Sequence, residues 1–190
     1  IWAAQFDKHY VAQIAPLEVD FYTTMEYLPF AEAVKGDFVH LPVGTQWGKK
    51  WEYAWFRTQI TVPEALAGKR LVFTLQTAPE MLVWVNGREA GAIDKKHTYI
   101  TLTRSAVPGT VYEIYAEGYA GHGIRNEGAG IVAHGEEPVP EPPQAQVKVG
   151  KSYWAVWNEE LFQVAMDYLT LFQLVQKLPP KSLRTMKIVE

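Results

Sequence analysis

The 190 residues specify a mainly β protein, an antiparallel sandwich followed by a helical segment. Three features of the chain predict it. Apolar residues alternate with polar ones over short runs between Tyr53 and Glu117, the period of a half-buried strand. Turn-forming dipeptides separate those runs at short intervals. After Trp157 the pattern changes to one long helical stretch that ends at Pro179-Pro180.

Residues 18–24 (EVDFYTT) alternate weakly and read as an entry strand, and 38–42 (FVHLP) as a second short one. In Thr58–Val62 the side chains of Thr58, Ile60 and Val62 share one face, and Gln59 and Thr61 share the other. Pro63 has no N–H to give to a ladder, so the strand stops there. The connection PEALAG closes on Gly68. Across Leu71–Thr77, Leu71, Phe73 and Leu75 oppose Val72, Thr74 and Gln76. Met81–Val85 is apolar throughout, as in a strand covered on both sides. Asn86-Gly87 follows at once and favours the positive φ of a tight hairpin. Thr98–Thr103 and Val111–Glu117 are two more strands joined through Pro108-Gly109. In the second of these, Tyr112, Ile114 and Ala116 lie opposite Glu113 and Glu117.

Residues 118–130 (GYAGHGIRNEGAG) form a glycine-rich loop, and 136–143 (EEPVPEPP) an extended connector in which helix is excluded. Gln146–Val149 is a further strand. Asn158 caps a helix over Asn158–Leu178, with Glu159 and Glu160 at its positive end. Leu161, Val164, Ala165, Tyr168, Leu171, Phe172 and Val175 make a broad apolar stripe that Phe162, Leu169 and Leu174 widen. A helix apolar on several sides is buried on several sides, so a partner surface is expected beyond the sandwich. The division expected is a lead-in over 1–40, the sandwich over 41–150 and the helical segment over 151–190.

Composition excludes several classes of function. A charge of −3 gives no general hold on nucleic acid, and no apolar run reaches the length of a membrane span. With zero cysteines there are no disulfides, thiolate ligands or cysteine nucleophile. Nor do the first residues have the basic flank and apolar stretch of a secretory leader, so the cytoplasm is the expected compartment. The chain opens on Ile1 and closes on KSLRTMKIVE without a helix stop signal, and it reads as a piece of a longer protein.

None of the five histidines has the paired helical spacing of a zinc protease or stands beside a nucleophile motif. Asp94 and His97 flank a two-lysine turn that reads as solvated loop. His122 and His134, with Glu117, Glu127 and Glu136 near them in sequence, are the metal-ligand candidates. Trp47 and Trp51, in GTQWGKKWEY, are the carbohydrate-binding candidates, because an indole face suits the C–H surface of a sugar ring. For both, packing is the competing reading. Trp55, Phe56 and Trp84 lie within strands and read as core.

The run WEYAWFRTQITVPEALAGKRLVFTLQTAPEMLVWVNGREAGAIDKKHTYITLT, with VYEIYAEGYAG after it, resembles the N-terminal β-sandwich of class II α-mannosidases, the zinc-dependent glycoside hydrolases. WAVWNEELFQVAMDYLTLFQLVQKLP looks like that family's helical lead towards its catalytic barrel. The resemblance runs from Leu41 to the end and implies a jelly-roll or galactose-binding-like sandwich. It also implies a parent enzyme that cleaves α-mannosides with retention, through an aspartate nucleophile and a zinc ion. The family's metal-binding histidine-aspartate motif is absent, so no catalytic or zinc residue is carried over, and zinc is expected only in a catalytic domain outside this chain. That domain is the expected partner of the Asn158–Leu178 helix, with a homo-oligomer as a further expectation. The alternative is the sugar-binding sandwich of a β-galactosidase-like hydrolase, whose F-R, V-P, GKR, V-N-G rhythm is similar. The long apolar helix favours the mannosidase.

Overall fold

The computed structural model describes residues 7–122 and 141–190. Two antiparallel sheets pack face to face. The larger runs β3 (Val39–His40), β2 (Asp20–Thr24), β5 (Tyr53–Thr61), β10 (Val111–Tyr119), β7 (Met81–Val85) and β8 (Arg88–Ile93). The smaller runs β1 (Val11–Pro16), β12 (Tyr153–Trp157), β6 (Leu71–Thr74) and β9 (Ile100–Thr103). A short ladder of β4 (Gln46–Trp47) and β11 (Val147–Lys148) stands beside them. The structure is thus the mainly β sandwich with a helical tail that the sequence predicts.

Alternation explains the core. In β5, Ala54, Phe56, Thr58 and Ile60 are buried, and Val62 continues their line, while Gln59 and Thr61 are exposed. The neighbouring β10 sends Ile114 and Ala116 inward to meet them. Leu71 and Phe73 of β6 close the space from the opposite sheet, in one cluster with Phe56 and Ile114. Asn86 and Gly87 have φ of 49° and 74°, as a tight hairpin requires, and the Asn86 side-chain oxygen accepts from the Glu113 amide at 2.8 Å.

The sheets take strands from both sides of the 41–150 span. β1, β2 and β3 precede it, and β12 follows it. Val11 pairs with Trp157 and Pro16 with Tyr153, so strands from the two ends of the described chain lie side by side. The residues of β1 alternate too weakly to announce a strand, and it forms because β12 offers it a ladder. Met81–Val85 also departs from expectation. Leu82 is 38% exposed, because nothing among the described residues covers the outer face of the larger sheet at that point.

A second, smaller cluster lies on that outer face. Trp55 and Trp84 are buried beneath the α2 segment (Phe30–Ala33), with ring centroids 5.2 Å apart and Phe30 stacked 5.1 Å from Trp84. Tyr22 donates to the Ala33 carbonyl at 2.8 Å and holds the segment down.

The helix α3 spans Glu159–Lys177, and the Asn158 side chain accepts from the Leu161 amide at 3.0 Å. Leu178, before the two prolines, is its last cap. Its base is held by aromatic contact. Phe162 lies 4.8 Å from Trp157 and 5.2 Å from Tyr10, at the end of the short helix α1 (Asp7–Tyr10). Beyond that base α3 meets α4 (Leu183–Val189), which the sequence reading did not separate.

Candidate functional site

The structure divides the two tryptophans proposed for sugar contact. Trp47 is only 5% exposed, its ring meets Phe56 at 5.8 Å, and its indole N–H donates to the Thr77 carbonyl at 2.8 Å. A buried indole satisfied in this way is a core residue, with no face open to a sugar. Trp51 is 40% exposed and sits at φ 65° in a tight turn. Glu52 fixes that turn, because its carboxylate accepts from the amides of Gly48 and Lys49 at 3.0 and 2.8 Å.

The ring of Trp51 lies 5.3 Å from His122, so the fold brings together one sugar candidate and one metal candidate. His134 lies outside the described residues, as do Glu127 and Glu136. Among the described residues no group of three or more His, Asp or Glu side chains could hold a metal ion. His97 Nδ1 lies 3.0 Å from the Asp94 carboxylate, a contact that is an ion pair when the imidazole is protonated. The Asp94 carboxylate also accepts from the amides of Lys96 and His97, at 2.6 and 2.7 Å. The His97 side chain, then the two amides, hold the Asp94 carboxyl down at about 2.

Two clefts flank Asp94. The smaller, about 390 Å³, opens on the outer face of the larger sheet, where Tyr53, Glu80, Leu82, Asp94, Glu117 and Tyr119 line it. Cross-strand register assembles it. Tyr53 of β5 is the partner of Tyr119 of β10, and Glu117 stands opposite both Trp55 and Leu82. The two tyrosine rings are 4.9 Å apart at 31°. Burial raises the Glu117 carboxyl above its usual value. Among the described residues, Glu117 Oε1 and the indole N–H of Trp55 are both buried without a hydrogen-bond partner. The larger cleft, about 590 Å³, lies beyond Ile93 and Asp94, which line both. Gln76, Tyr99, Lys148 and Tyr153 contribute to its wall, and the Tyr99 and Tyr153 hydroxyls meet at 2.6 Å.

The sequence reading missed these clefts. Its one available signal was Glu117, a carboxylate in a strand otherwise rich in aromatic and apolar residues. What the position faces depends on β7 and β8, whose register no local pattern reveals.

The third feature is the tail. Leu161, Val164, Tyr168, Leu171, Phe172 and Leu174 of α3 are all exposed, Val164 at 63%. Leu183, Met186 and Val189 of α4 are exposed as well. Such a row is larger than scattered surface leucines explain. No helix among the described residues is long and apolar enough to cross a membrane.

Comparison with known proteins agrees with this architecture. The family model described as "Alpha-mannosidase, jelly roll domain" matches residues 13–139. Alpha-mannosidase 2C1 of Homo sapiens is 27% identical over 162 residues, covering 83% of this chain and 15% of that protein. Alpha-mannosidase G of Dictyostelium discoideum is 23% identical over 168 residues, covering 84% and 15%. The chain therefore spans about 15% of the length of these curated relatives. Among solved structures, a Ruminococcus gnavus β-glucuronidase in complex with D-glucuronic acid superposes with a TM-score of 0.52 at 14% identity. That match covers 79% of this chain and 30% of the other, and shows a shared fold. With two thirds of its length matched by the family model, the chain belongs to the α-mannosidase jelly roll domain family.

Proposed function

We propose that this chain is the non-catalytic sandwich and linking helix of an α-mannosidase, which supports the catalytic portion of the same protein through α3 and α4. The observation that carries the proposal is the exposed apolar row from Leu161 to Leu174, in a chain that spans 15% of the relatives' length. Burying each large side chain of the row is worth roughly 1.5–3 kcal/mol. Docking onto the rest of the parent removes that surface from water, and a second copy of the chain is the substitute when the rest is absent. Hydrolysis of α-mannosides, with any zinc it needs, is assigned to the catalytic portion. A cytoplasmic location goes with this proposal, and a chain with zero cysteines is compatible with a reducing compartment.

Because the chain is free of cysteine, Val164→Cys and Phe172→Cys can each be labelled with a maleimide. Rapid labelling in this chain and protection in the full-length enzyme, located by mass spectrometry, are expected. Equal labelling in both contexts overturns the docking. Zinc-dependent hydrolysis of a chromogenic α-mannoside by this chain alone overturns its non-catalytic character.

A further inference from the structure

We propose that the two clefts meeting at Asp94 form one groove that binds a neutral oligosaccharide, with Tyr53, Tyr119 and Glu117 holding one ring and Tyr99 and Tyr153 the next. Such a groove would add ligand binding to the support of a catalytic portion, at residues other than Trp47 and Trp51.

Continuity comes first. Ile93 and Asp94 line both clefts, so the two are neighbours on either side of these residues. Each cleft carries a tyrosine pair, Tyr53 with Tyr119 and Tyr99 with Tyr153. A tyrosine ring presents apolar area to sugar C–H groups and a hydroxyl to sugar oxygens. Between the pairs stands Asp94, ionised and fixed in place by His97 and two amides, so its orientation is set before a ligand arrives.

Charge then selects the ligand. Every charged residue that lines the smaller cleft is a carboxylate, namely Glu80, Asp94 and Glu117, so a uronic acid or a phosphate ester is repelled there. A hydroxyl both donates and accepts, so it can meet Glu117 Oε1, which has no partner among the described residues, in either protonation state of that carboxyl. In the larger cleft Lys95 and Lys148 join Asp94 in the lining, and Gln76 and Thr98 add neutral partners of both kinds. Hydroxyl groups suit that mixture better than a charged ligand of either sign.

The test is a titration of the ¹⁵N-labelled chain with α-mannobiose, cellobiose, glucuronic acid and an arginine-rich peptide, each at tens of millimolar. Amides of Leu82, Ala92, Asp94 and Tyr119 are expected to shift with mannobiose and to stay still with glucuronic acid. Glu117→Gln and Tyr119→Ala should each weaken binding about tenfold, the loss of one well-aligned hydrogen bond or one ring. Glu117→Gln retains the fold because burial opposes its charge, and thermal unfolding of both variants separates lost binding from lost structure. The choice of a mannoside rests on the parent activity proposed above. Binding of cellobiose without mannobiose therefore upholds the groove and counts against the mannosidase reading. Silence with both disaccharides, shifts confined to Trp51 and His122, or shifts at the groove with the peptide alone each overturn the proposal.

Discussion

The guanidinium of Arg70 lies 5.0 Å from the centre of the Trp157 ring and forms an ion pair with Glu159. One cation therefore ties the edge of β6 to the last residue of β12 and to the first turn of α3. Trp157 also donates its backbone N–H to the Arg70 carbonyl at 2.9 Å. The direction in which the apolar tail leaves the sandwich is set at this junction.

Arg70→Ala is expected to loosen the tail. A cation–π contact and a partly exposed ion pair each contribute about 0.5–1 kcal/mol, so stability should fall by roughly 1–2 kcal/mol. Thermal unfolding should move down by a few degrees, and hydrogen exchange should quicken in the first turn of α3. An unchanged exchange rate there removes Arg70 as the anchor.

Gly118 has no room for a side chain. A Cβ at that position would sit 2.6 Å from the Ala78 Cβ and 2.9 Å from the Phe56 ring. Gly118→Ala should cost about 1–3 kcal/mol through overpacking, read as a lower denaturation midpoint with an unaltered slope. A variant as stable as the parent shows that Ala78 moves aside freely.

Asp94 should stay ionised in acid that protonates ordinary aspartates. Its folded-state value of about 2 lies below the ordinary 3.8, so the ionised form favours folding. That contribution is present above 3.8 and is lost as pH falls through about 2. A ¹³C NMR titration of the carboxyl group should show the low midpoint, and His97→Ala should return it towards the ordinary value. A midpoint near 3.8 in the parent chain contradicts the ion pair.

Glu117 has the opposite sign. Burial raises its carboxyl above the ordinary 4.5, so folding favours the protonated form. The stability linked to it is complete below 4.5 and is lost as pH rises through the folded value. Glu117→Gln should therefore raise the melting temperature near neutral pH and leave it unchanged in acid below 4.5. The same gain at both pH values assigns the effect to packing.

Local chemistry made much of the fold legible in the amino-acid order. Thr58, Ile60 and Val62 face the core because a pleated strand alternates, Asn86-Gly87 turns because those residues accept positive φ, and Asn158 caps α3 because its side chain reaches the Leu161 amide. Each effect needs only near neighbours in the chain. The excess of apolar surface on α3 was equally readable, since so many apolar residues at helical spacing exceed what one sheet edge can cover; Ala165 is buried, and Leu161, Val164, Tyr168, Leu171 and Phe172 are exposed.

Tertiary structure alone decided what depends on residues far apart in the chain. β1 is a strand because β12 pairs with it, and Trp47 is core because the Thr77 carbonyl waits for its N–H. Leu82 is exposed because no segment among the described residues packs above it. Glu117, Tyr119 and Asp94 share a cleft because β10, β7 and β8 align in one register, and a slip of one residue would turn every one of those side chains to the other face.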